Sequence, residues 1–408
     1  MKELSMKISL GATLTVPERW CLHAYYTLCP FAPDGSGRLL LAGADLENGR
    51  GAVYILSADG MVLDRFGEGA LEASFYHTGY WQTWSPDARF VYYQSGSWSA
   101  PRITRREIAG GAELTLEGDM EGAPPDGEPL LSGLMGMLYA AGYGEGKYQP
   151  QRAPRPFQAR EEHGLFEYAF EPLQSRLRLS VAEVIARHPE RDRLQAADRE
   201  VRARLGEGQG LTLMLYCVRW NPSGSRCLFY FGNHNVVRER GEPRLAYVFT
   251  ADRALQELHL AVDLSYTRRG VHWGWQPDGE HLLGYGPDPD QPDQVCLAQV
   301  AYDGSAYRRL SRHNSGGHPV ISPLNPHLAV TDDPRRNPGE VVLIDTQRDQ
   351  VLATVSLPRV MGEIEPAGRN PLRVCHHPVF SRDGRSVLVN TLPGRYAAPR
   401  VLHLENIE

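Results

Sequence analysis

Apolar residues in this chain fall in short runs, and most runs follow the same polar phrase. The phrase is an aromatic or aliphatic residue, a small polar residue, then Pro, Asp and Gly. It stands as Phe31-Ala-Pro-Asp-Gly35 before Leu39-Leu-Leu41, and as Trp84-Ser-Pro-Asp-Ala88 before Phe90-Val-Tyr-Tyr93. It returns as Trp220-Asn-Pro-Ser-Gly224, Trp275-Gln-Pro-Asp-Gly279, Ile321-Ser-Pro-Leu-Asn325 and Phe380-Ser-Arg-Asp-Gly384. Pro and Asp-Gly set a tight turn between two strands, and the flanking apolar residues pack between sheets. In the second half, successive copies lie roughly fifty residues apart, the size of one propeller blade. These copies and a weaker one at Pro125-Asp-Gly127 predict an all-β chain, a seven-bladed β-propeller spanning residues 1–408 as one domain.

Between residues 88 and 215 the phrase decays. Leu130-Leu131 with Met137-Leu-Tyr139 is a candidate third blade, and Leu165-Phe-Glu-Tyr168 with Leu177-Arg-Leu179 a candidate fourth. One segment follows another period. Ser180-Val-Ala-Glu183 has the form of a capping box, and Val181, Val184 and Ile185 follow at helical spacing. A charged run continues it to Leu205, broken near Pro189. This predicts a helical insertion over about residues 180–205, either a lid over one face or an amphipathic helix filling a gap between blades.

Composition changes this picture little. Gly and Pro are plentiful, as many short strands require, and the net charge of −6 carries no dominant Lys/Arg cluster. A nucleic-acid partner is not expected. A local basic pocket remains compatible with an anionic sugar. The first residues show no apolar signal segment, and no membrane-spanning stretch is predicted. The six cysteines lie far apart with no C-x-x-C pair, which predicts reduced thiols and a cytoplasmic setting.

The histidines carry the candidate chemistry. His272, His318 and His377 each stand three residues before a blade marker, Trp275, Ile321 and Phe380. Equivalent positions on successive blades share radius and height, so three imidazoles are expected to converge near the channel mouth. Imidazole is a common ligand of divalent transition metals. The competing reading is a structural histidine that bonds a backbone carbonyl. Arg219 lies beside the Trp220 marker, and its planar fork suits a carboxylate. Alternatively it is a surface residue. Asp332-Asp333 reads as the turn after a strand. The chain contains neither a G-x-S-x-G elbow nor a P-loop.

The stretches Tyr80-Trp-Gln-Thr-Trp-Ser-Pro-Asp87, Arg219-Trp-Asn-Pro-Ser-Gly-Ser-Arg226, Gly317-His-Pro-Val-Ile-Ser-Pro323 with Thr331-Asp332, and His377-Pro-Val-Phe-Ser-Arg-Asp-Gly384 resemble the oligogalacturonate-lyase-like propellers. Some ulvan lyases share that fold. The resemblance implies a lyase that cleaves uronate-containing oligosaccharides by β-elimination with a divalent metal, manganese before calcium or zinc. It implies His318 and His377 as metal ligands, assisted by His376, and His272 as the base. The family's glutamine ligand is replaced at its approach by Leu372 and Arg373, and Cys217 stands where a histidine is expected. Ulvan-type relatives use histidine and tyrosine from early blades. His77 and Tyr80 match that pattern, as does His23 before Tyr25-Tyr26. Tyr25, Trp81, Gln82, His23 and Arg373 are candidates to bind the acidic sugar. The alternative function is a non-catalytic propeller that binds or scaffolds.

Overall fold

Each polar phrase becomes the hairpin that joins the first strand of a blade to the second. In the second blade Ser85 closes the turn twice, its Oγ accepting from the Phe90 amide at 2.8 Å and donating to Asp87 at 2.6 Å. Asn221 plays the same part in the fourth, accepting from the Arg226 amide at 3.1 Å. The phrase ends in glycine because that position takes a left-handed conformation, with φ of 72° at Gly279 and 65° at Gly384. Ala88 accepts the same conformation at 56°.

The structure is a computed structural model, and it describes residues 5–71, 77–97, 100–133, 155–233, 240–359 and 374–407. Among them, seven antiparallel sheets follow one another in chain order, the blades of a seven-bladed β-propeller. The first strands of blades one to seven are Trp20–Leu22, Thr83–Trp84, Leu130–Ser132, Met214–Trp220, Val271–Trp275, Val320–Ile321 and Val379–Phe380. The middle strands are buried on both faces by neighbouring blades, so they read as continuous apolar runs; Arg226–Gly232 is buried at every position after its first. Outer strands meet water and alternate, as Glu113–Glu117 does. The N-terminal strand Ser5–Thr13 completes the last blade against Ala398–Ile407, from Ser5 opposite Ile407 to Thr13 opposite Arg400. The ring is thus closed by hydrogen bonds between the two ends of the chain.

One expectation about the middle of the chain is corrected, and one open alternative is decided. The candidate third and fourth blades are one three-stranded sheet, in which Leu131 pairs with Glu167 and Leu165 with Leu179. The segment 137–139 lies outside the described residues. Of the two readings of the helical insertion, the helix that fills a gap between blades holds, and the lid does not. The helices Val181–Arg187 and Arg191–Leu205 follow that sheet where other blades place a fourth strand. Val181, Val184, Leu194 and Val201 bury themselves with Leu165, Leu179 and the aromatic face Phe229, Phe231, Tyr247 and Phe249 of the fourth blade. The helices therefore fill the wedge between two blades. The capping box forms as expected, with Ser180 Oγ accepting from the Glu183 amide and the Glu183 carboxylate from the Ser180 amide. No described helix is long and apolar enough to cross a membrane.

Candidate functional site

The site is built by a backbone irregularity repeated from blade to blade. Three residues before the marker, the chain turns left-handed at Trp81 (φ 53°), Cys217 (57°), His272 (60°) and His377 (43°). In blades four and five the strand register slips across this residue, between Tyr216 and Arg219 and between Val271 and Gly274. Such a bulge re-aims one side chain, and the left-handed conformation costs a bulky residue about 1–2 kcal/mol. His318 reaches the same position without it. Its amide and its Nδ1 both donate to the Asp332 carboxylate, at 2.7 and 2.9 Å.

The result is a histidine cluster on the propeller axis. The His272 and His318 ring centroids are 4.0 Å apart, and those of His318 and His377 are 4.3 Å apart. His77 joins from the second blade, its Nδ1 3.3 Å from His377 Nε2. Tyr25 stands at the centre, 4.8 Å from His377 and 5.6 Å from His318 between centroids, with His77, His272 and Trp81 around it. Arg219 lies beneath, its guanidinium carbon 5.4 Å from the Tyr25 ring and its Nη1 donating to the Tyr26 hydroxyl at 2.9 Å and to the Trp273 carbonyl. It is buried, not a surface residue, and it makes no ion pair with any described carboxylate. The nearby buried carboxyl is that of Glu121, which accepts from the Cys217 and Val218 amides and on which the Arg219 charge acts. Tyr26 and Arg219 also form one wall of a cavity of about 460 Å³ on the side of the blade hairpins, lined further by Glu121, Trp220 and Trp275.

Burial keeps the His272, His377 and His23 rings neutral. It pushes the His272 and His377 imidazoles well below their ordinary value, helped by the neighbouring His318, and brings His23 down to about 3. Burial also pushes the Tyr26 phenol up to about 12 and Tyr25 well above its usual range, so both keep their protons. The Asp332 carboxyl goes the other way. Burial alone raises it, yet His318 facing and donating to it holds it well below the usual carboxylate range. A neutral His272 donates from Nδ1 to the Gly317 carbonyl at 2.7 Å, which leaves the lone pair on Nε2.

His77, His272, His318, His377, Tyr25 and Arg219 are therefore brought together, with Trp81 packed on Tyr25. His23 is fully buried at the edge, its ring 6.4 Å from that of His377, and its ring nitrogens make no close hydrogen bond among the described residues. Three predicted residues turn away. His376 gives Nδ1 to the Asn390 carbonyl at 2.7 Å, and its Nε2 lies over Gly339 in the neighbouring blade. Tyr80 packs among Leu22, Ala42 and Val53, with its hydroxyl against Gly51. Gln82 bridges the first two blades, accepting from the Tyr80 amide and donating to the Leu22 carbonyl. Arg373 lies outside the described residues. Sequence reasoning missed Tyr26, Asp332 and Cys375. Asp332 is not in a turn but at a buried position of the strand Leu328–Asp333. Cys375 carried a signal only through its neighbours, two residues before His377.

The donor set suits a divalent transition metal. Burial holds His272 and His377 neutral, and several imidazoles have one nitrogen anchored by a carbonyl or carboxylate, the arrangement that orients metal-bound histidines. The predicted trio His318, His376 and His377 does not form a compact donor group. The described donor atoms that come within 4.8 Å of one another are those of His77, Cys375 and His377, all buried.

No protein-family model matches the chain, and no curated protein matches it in sequence. Solved structures do match. An oligogalacturonate lyase in complex with manganese superposes with a TM-score of 0.64 at 16% identity, covering 98% of this chain and 96% of that one. The oligogalacturonate lyase of Vibrio parahaemolyticus gives 0.64 at 14% identity, with 98% and 96% covered. The propeller domain of the trilobed protease from Pyrococcus furiosus gives 0.52 at 10% identity, with 95% and 97% covered. The likeness is one of fold, and it extends over the whole length of the oligogalacturonate lyases.

Proposed function

We propose that this protein is a lyase that cleaves acidic, uronate-containing oligosaccharides by metal-assisted β-elimination. The observation that carries the reading is the convergence of His77, His272, His318 and His377 around Tyr25, above a buried Arg219. Elimination at a uronate needs three things: the C6 carboxylate charge must be offset, a base must take the C5 proton, and an acid must protonate the departing O4.

Arg219 meets the first need. Its guanidinium is held by Tyr26 and Trp273, and its fixed positive charge would offset that of a sugar carboxylate. His272 meets the second, with its free lone pair on Nε2 and a pKa low enough to leave it unprotonated. Tyr25 meets the third, as a buried hydroxyl that keeps its proton and lies within ring contact of every histidine of the cluster. Asp332 fixes the orientation of His318. His77, His377 and Cys375 would hold the divalent ion, which would draw charge from the substrate carboxylate and so acidify the C5 proton.

The test is direct. The full chain is incubated with oligomers of several uronates, and the ultraviolet absorbance of the unsaturated product is followed. Absorbance is expected to rise with at least one uronate, to stop with a chelator and to return with added divalent metal. No rise with any uronate, with or without metal, overturns the reading. Binding without absorbance change would favour a non-catalytic sugar-binding propeller.

A further inference from the structure

The six cysteines differ in surroundings. Cys21, Cys227 and Cys296 are packed inside apolar clusters between strands. Cys375 is as deeply buried, but it sits at the axis with His77 and His377, and the three donor atoms lie within 4.8 Å of one another. The two imidazole nitrogens in this group are 3.3 Å apart. Two nitrogens bound to one ion at about 2.0–2.1 Å, with an angle near that of a tetrahedron, are separated by about 3.3–3.4 Å. No described Asp or Glu belongs to the group, and Asp332, the acid at the axis, is engaged by His318. The backbone holds His377 in the left-handed conformation that Trp81, Cys217 and His272 share at the equivalent places, so its ring is aimed by the blade and not by the group itself.

We propose that Cys375 is a thiolate ligand of the axial ion, beside His77 and His377, and that the centre therefore selects zinc over manganese. This rests on the reading of the cluster as a metal site and names the metal. Thiolate with imidazole is a soft donor set that favours zinc, whereas manganese favours oxygen ligands. Three protein donors also leave a fourth position of a tetrahedral zinc open to a substrate oxygen, the pattern of catalytic rather than structural zinc. The neighbouring lyase that binds manganese thus shares the propeller without fixing the metal of this chain.

The full chain, stripped by a chelator, is titrated separately with Zn²⁺, Mn²⁺ and Co²⁺. One equivalent of zinc is expected to bind at least a hundredfold more tightly than manganese. The cobalt form is expected to show a thiolate-to-metal charge-transfer band in the near ultraviolet, lost in Cys375→Ser. That variant should also lose tenfold or more in zinc affinity with manganese affinity little changed. The band in the wild-type protein needs no variant to fold. A cobalt-loaded wild type without it, a band that persists in Cys375→Ser, a preference for manganese, or no metal binding at all overturns the proposal. Metal content and the cobalt spectrum are read without substrate, so an inactive protein that binds zinc through Cys375 would refute the lyase reading and leave this one standing.

Discussion

His77 Nδ1 and His377 Nε2 stand 3.3 Å apart although 300 residues separate them. Only closure of the ring makes this contact. The second blade and the last flank the first, so side chains from all three meet at the axis once the N-terminal strand has paired with Ala398–Ile407.

His272 is the base in the proposed elimination, so His272→Ala should lower kcat about 10²–10⁴-fold. KM should change little, because Arg219 is untouched. Steady-state kinetics on the uronate found to react check this, and a loss below tenfold would remove His272 from that role.

Asp332 accepts from both the amide and the ring of His318 in a fully buried setting. Asp332→Ala leaves two buried donors without an acceptor, at roughly 1–3 kcal/mol each. Urea unfolding should show a loss on the order of 3 kcal/mol, with Asp332→Asn losing less because its amide oxygen still accepts one bond.

The N-terminal strand covers the edge of the last blade and places Met6, with Ile8, against its apolar face. Deleting residues 1–13 should cost about 4 kcal/mol, from two apolar side chains at roughly 2 kcal/mol each. It should also expose a strand edge prone to intermolecular pairing. Thermal melting and light scattering would show the two effects, and an unchanged melting temperature would mean that the closure contributes nothing.

His188 caps the first helix inside an aromatic cage, 4.4 Å from Tyr247 and 5.3 Å from Phe249 between ring centroids. Burial brings it down to about 4 from 6.5. Its protonation therefore favours the unfolded chain. The stability tied to its neutral form is complete above pH 6.5 and is lost as pH falls toward 4, at about 1.4 kcal/mol per pH unit and about 3 kcal/mol in all. Stability measured from pH 7 to pH 4 should fall less steeply in His188→Phe than in the wild type. Parallel curves would contradict the assignment.

The histidine alignment was legible because blades repeat. A residue three places before each marker lands at the same height, so His272, His318 and His377 could be brought together on paper. His77 was named for another reason, and its meeting with His377 was not foreseen, because its distance from a marker differs from theirs. Tyr80 and Gln82 lie away from the axis for a local cause. The left-handed turn at Trp81 sends Trp81 to the axis and leaves its neighbours between blades. A strand pattern that assumes strict alternation cannot show a bulge.

By itself the amino-acid sequence determined the all-β class, the repeat of the blade, the hairpin between the first two strands and the capped helix, because each rests on contacts among residues close in the chain. The tertiary structure alone decided that residues 130–180 make one blade and that the helices fill a wedge. It also decided which buried polar groups face one another. Pairing such as Asp332 with His318, or Cys375 with His77 and His377, depends on where the blades stop turning about the axis. That angle is set by side-chain packing between whole sheets, which no short stretch of sequence encodes.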